Sequence, residues 1–249
     1  MFEVCSLLSR SSASGDLLGV KLDTREKRDL FLACLFSVQV QFVIDHELGH
    51  HFHGHTGSSF FPEYDREERS SAIGKLKDQA HEVEADGYAV HIMLRGLFTE
   101  DAGPGLVRTL QPDSIESDEF LVLYLLLAIG SYMFLRPQHA FDPAKVREES
   151  HPFGLMRMNV VMVDLEGWAA EHRSGLLSYI NQDNFQRVMG TIVAAHPGSA
   201  AVNEWKLQGE LLRNGDGGYR DDLYAARALV RKEMDGRAWS LGGQIVPAG

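Results

Sequence analysis

Apolar positions along this chain cluster into helical stretches that proline and glycine separate. Residues 30–44 are apolar except for Ser37, Gln39 and Gln41. Thr24 precedes them as an N-cap, although Lys27 stands where a capping box places Glu or Gln. The pattern predicts a helix from Thr24 to near Gly54. Residues 56–70 contain Gly57, Ser58, Ser59, Pro62 and Asp65-Arg66-Glu67-Glu68-Arg69, a loop composition. A second helix is predicted over 71–97, after which Gly103-Pro104-Gly105 and Pro112 break the chain. Residues 114–135 read as a central buried helix stopped by Pro137. Asp142-Pro143 is a helix start, Pro152 interrupts, and a further helix runs to about residue 172. Residues 181–195, 200–213 and 220–235 also carry helical periodicity. Residues 1–24 are poorly patterned, with a short strand at Val20-Lys21-Leu22, and a flexible tail starts at about 236. The expected class is mainly α, with two helices carrying the functional residues and at most a small β-sheet.

Two apolar stretches, 30–44 and 120–135, raise the question of a membrane. Each is shorter than the roughly 18–20 residues that cross a bilayer, and neither is flanked by a Lys/Arg cluster. Both are read as core helices, and membrane association is not expected. The net charge of −11 argues against nucleic acid and anionic lipid as partners. Cys5 and Cys34 form no metal or redox spacing. They suit a reducing compartment, and the N-terminus lacks a basic segment ahead of an apolar one. The expected location is cytoplasmic.

His46-Glu47-Leu48-Gly49-His50 carries the candidate chemistry. It is an H-E-x-x-H sequence on a predicted helix. Residues four apart share a helix face, so both imidazoles can reach one zinc ion, with Glu47 beside them as a base. Such a zinc takes a third protein ligand and leaves a fourth position for water. The metzincin continuation fails, because His53 and Thr56 stand where it needs Gly and His. His53 shares the face of His46 and His50 but lies a turn too far. His81-Glu82-Val83-Glu84-Ala85-Asp86, on the second helix, offers a better donor. Glu82 and Asp86 are four apart, so one can bind metal while the other accepts the free N–H of a liganding imidazole. This is the gluzincin arrangement; Glu84 is the lesser alternative.

Glu82-Val83-Glu84-Ala85-Asp86-Gly87-Tyr88-Ala89 is similar to the E-x-E-A-D-x-x-A segment of the HtpX and CAAX-prenyl-protease family of zinc peptidases. Ser150-His151-Pro152-Phe153, followed by Arg157, resembles that family's S-H-P-P-x-x-x-R element, with Phe153 in place of the second proline. The likeness spans about residues 35–160. It implies one Zn(2+) held by His46, His50 and Glu82, with Glu47 as base and Asp86 behind a histidine. It also implies that His151 and Arg157 lie near the cleft, organising it or stabilising the oxyanion. A looser likeness exists to the soluble Lit-type and ImmA-type peptidases.

The expected organisation is a metallopeptidase domain over 1–175, with a helical extension over 176–249 packed on it. The expected function is a zinc-dependent endopeptidase acting on a protein or peptide substrate. The alternative is an inactive metal-binding domain that serves regulation or protein interaction.

Overall fold

A computed structural model describes residues 16–52, 72–135 and 141–235. The protein is mainly α-helical, as its sequence pattern predicts. A hairpin of two-residue strands, β1 (Asp16–Leu17) and β2 (Val20–Lys21), leads into α1 (Arg25–Phe52). The hairpin turns at Leu18 and Gly19, both at positive φ, which is the I′ geometry that matches strand twist. α1 begins where the sequence places it, since the Lys27 amide donates to Thr24 Oγ1 at 3.2 Å. Its expected end near Gly54, the loop at 56–70, His53 and the tail after 235 lie outside the described residues.

α2 (Ala72–Phe98) is followed by α3 (Ala102–Leu110) and α4 (Ser117–Leu135). α3 corrects the sequence expectation of a chain break. Pro104 sits in its first turn, where no backbone N–H is needed. Gly103 lies against α2: a Cβ there would come within 2.0 Å of the Leu97 carbonyl oxygen. The chain continues through α5 (Gly154–His172), α6 (Gln182–Ala195), α7 (Ala200–Asn214) and α8 (Tyr219–Asp235). Asn181 caps α6 and Ser199 caps α7.

α4 forms the centre of the larger core. Its apolar residues are buried on every side, and α1, α3, α5, α6 and α7 pack around it. A helix without a polar face has no side to give to water. Each fully buried Leu or Phe contributes about 1.5–3 kcal/mol. Two polar contacts cross this core: Tyr124 donates to the Phe31 carbonyl, and Gln39 of α1 donates to Ser131 of α4. A second, smaller core joins α2, α5 and α8 around Val83, Met156, Val160, Tyr219 and Leu223. α2 thus lies between the two cores, with α1 across one face and α8 across another.

α1 and α4 are each long and apolar enough to cross a membrane, but they differ in environment. In its most apolar stretch α4 is 78% buried and α1 only 28%. The expectation of a core helix therefore holds for 120–135 and only in part for 30–44. Along α1, Phe36, Val40, Ile44 and Leu48 are exposed.

Candidate metal centre

The site forms where α1 crosses α2. Gly49 lies against Ala85: a Cβ on Gly49 would sit 3.1 Å from the Ala85 Cα and 3.3 Å from its carbonyl oxygen. Small residues on both helices let the backbones approach, so side chains one turn away converge. On α1, His46 is buried and His50 half-buried, while Glu47 is exposed. On α2, Glu82 and Asp86 point toward the same crossing.

Three donors meet there. His46 Nε2 and His50 Nε2 are 3.1 Å apart. Glu82 Oε1 lies 3.3 Å from His50 Nε2, and Oε2 lies 3.6 Å from His46 Nε2. Ligands at 2.0–2.1 Å around a tetrahedral zinc are separated by about 3.3 Å, so the trio matches that size. The chemistry of the donors agrees. His46 Nδ1 donates to Asp86 Oδ1 at 2.9 Å, which leaves the Nε2 lone pair facing the site. Glu82 Oε2 is buried and has no hydrogen-bond partner. The His46 lone pair, the adjacent His50 Nε2 and a carboxylate directed at one point can together hold a cation.

A charged layer backs this trio. Arg157, on the first turn of α5, donates to both oxygens of Asp86 at 2.7 and 2.6 Å. Its Nη2 also lies 4.0 Å from Glu82 Oε2. Burial alone would raise the pKa of Asp86, but Arg157 and His46 outweigh it and hold the carboxyl below its usual range. Burial likewise works against Glu82, yet hydrogen bonds from His151 and His50 and the charge of Arg157 hold its carboxyl well below the usual value. The same pairing raises the pKa of Arg157. Both carboxylates therefore keep their negative charge inside the protein.

His151 stands at the open side, 46% exposed, with Nε2 3.4 Å from Glu82 Oε1. Ser150 Oγ contacts its Nδ1 at 2.8 Å. The fold thus brings His46, His50, Glu82, Asp86, His151 and Arg157 together from four segments, with Glu47 on the adjoining exposed face of α1. Glu84 is not part of the cluster. It is buried on another side of α2, paired with Arg227 and Arg231 of α8. Sequence reading gave no role to Ser150, Gly49, Arg227 or Asp164. None belongs to a spacing that names a ligand, and only Gly49, a glycine inside a helix, carried a signal of close approach.

No family model, curated protein or solved structure matches this chain.

Proposed function

We propose that the protein is a zinc-dependent endopeptidase of the gluzincin type. One observation carries this reading: two imidazole nitrogens and a buried, otherwise unpartnered carboxylate oxygen converge at zinc-ligand spacing beside a free-facing glutamate. Held by His46, His50 and Glu82, a zinc ion would supply Lewis-acid polarisation of the scissile carbonyl and would make a water acidic enough to lose a proton near neutral pH. Glu47 takes that proton and delivers it to the leaving amine. His46 is kept in the correct tautomer by Asp86, which Arg157 in turn fixes. His151, half-exposed at the rim, can donate its ring N–H to the carbonyl oxygen as charge develops there.

The alternative is a metal-dependent binding or regulatory domain that holds the metal without cleaving a substrate. Among the described residues the only sheet is the β1–β2 hairpin, at the start of α1. His46 lies 22 residues after Thr24 along that helix, about 33 Å away at 1.5 Å per residue. No described edge strand stands beside the centre to hold a peptide by β-augmentation.

Elemental analysis of purified wild type, Glu82→Ala and Glu47→Gln, with cleavage of a denatured protein substrate, tests the proposal. We expect about one zinc per chain in all but Glu82→Ala, and proteolysis lost in Glu47→Gln. Zinc without proteolysis in the wild type would leave the binding domain. Wild-type proteolysis by Glu47→Gln would refute the mechanism.

A further inference from the structure

α8 belongs to a stretch with no recognised motif, yet it grips the back of the metal centre. Arg227 is only 4% exposed. Its Nε donates to Glu84 Oε1, and its Nη2 donates to both oxygens of Asp164 at 2.8 Å. Arg231 adds a bond to Glu84 Oε1 at 2.7 Å. Glu84 lies on α2 and Asp164 on α5, so two guanidiniums and two carboxylates tie three helices at one point. Burial alone would lower the pKa of Arg227; Asp164 and Glu84 raise it instead. The cluster rests directly on the α2 backbone. A Cβ on Gly87 would stand 2.7 Å from Asp164 Oδ2 and 2.9 Å from Arg227 Nη2. Gly87 follows Asp86 directly and lies five residues beyond Glu82. Tyr219 pins the other end of α8: buried, it donates to Gln79 Oε1 of α2 at 2.5 Å. Gln79 in turn donates to the Val146 and Glu149 carbonyls, just ahead of Ser150 and His151.

α2 therefore presents opposite faces to two charged layers. One face offers Glu82 and Asp86 to the histidines of α1. The other offers Glu84 to Arg227. Glu82 and Glu84 are 200° apart around the helix, so a rotation or slide of α2 that loosens one contact also moves the other. A planar guanidinium bonded to two buried carboxylates resists such motion, because any slip leaves a buried charge unpaired. α5, which carries Arg157, is fixed by the same Arg227 through Asp164.

We infer that α8 is a positioning element of the metal centre, with Arg227 setting the register of α2 and α5 that aims Glu82 and the Arg157–Asp86 pair at the zinc site. This rests on the proposed metal centre. The test uses the full chain stripped of metal and titrated with cobalt(II), whose visible absorption reports ligand geometry without any substrate. Arg227→Lys keeps the charge and loses the fork. Arg231→Gln perturbs the half-exposed arm of the same cluster and serves if Arg227→Lys does not fold. Val188→Ala, in the α6 part of the larger core, is the control for general loss of stability.

Partners that orient metal ligands typically change affinity by about 10–100-fold. We expect Arg227→Lys to bind cobalt at least about tenfold more weakly, with an altered visible spectrum. Arg231→Gln should shift both in the same direction by less, and Val188→Ala should leave both unchanged at a comparable fall in melting temperature. Wild-type affinity and spectrum in both arginine variants, or an equal loss in Val188→Ala, would overturn the inference alone. Absence of cobalt uptake by the wild type would overturn the metal centre and this inference with it.

Discussion

The carboxylate of Asp86 is completely buried and accepts three hydrogen bonds, one from His46 and two from Arg157. It links a histidine of the proposed metal centre to the arginine of α5. Asp86→Asn would keep the shape but leave the Arg157 guanidinium buried with its main counter-charge gone. Loss of one partner of a buried pair costs about 3–5 kcal/mol, and a denaturant titration should show a fall of that order. The acid limb gives a second reading. Asp86 and Glu82 both have carboxyl pKa values lowered by folding. Such groups stabilise the fold above their unfolded values near 4, and the benefit fades as pH falls through the folded values. Asp164 is raised by burial, ahead of the opposing pull of Arg227, so its contribution has the opposite sign. The difference between wild type and Asp86→Asn isolates Asp86: it should be constant at neutral pH and shrink as the solution is acidified below about pH 4. A difference independent of pH would rule out the charge as its origin.

At the scale of elements, the crossing of α1 and α2 sets the centre. Gly49→Ala adds one methyl at 3.1 Å from the Ala85 Cα, a contact with backbone that no rotamer change relieves. We expect a loss of about 1–3 kcal/mol from overpacking, opposing the gain that alanine ordinarily brings inside a helix. Zinc content should fall in the same protein, because the helices that carry the three donors are pushed apart. A Gly49→Ala protein with full zinc would show that the crossing can relax without cost to the site. α3 teaches a related point. Gly103-Pro104-Gly105 reads as a break, yet proline suits a first helical turn, and Gly103 is there because α2 comes too close for a side chain.

On the whole-molecule scale, two cores share α2. The larger one is centred on α4 and the smaller on α2, α5 and α8. A cavity in the first should lower stability and leave the metal centre alone. Leu126→Ala, at a fully buried position of α4, should cost about 2–5 kcal/mol while retaining zinc stoichiometry at temperatures well below unfolding. Calorimetry with metal analysis checks both. Loss of zinc in the folded variant would mean that the centre depends on the larger core as a whole.

The long helices other than α3, and the set of groups able to hold a metal, were legible in the sequence because they depend on periodicity. Thr24 caps α1, the 120–135 stretch is buried, and residues four apart on one helix share a face. Periodicity also separates Glu82 from Glu84, since residues two apart face different ways, but it does not say which side meets the histidines. That choice came from packing: α8 brings Arg227 and Arg231 to Glu84, and the Gly49–Ala85 crossing brings His46 and His50 to Glu82. The burial of α1 was likewise undecided by composition, because how many neighbours cover an apolar helix depends on segments far away in the chain. Local rules act over a turn or two of helix. The pairing of charges 63 to 147 residues apart, as in Arg227–Asp164 and Arg231–Glu84, exists only once the chain has closed on itself.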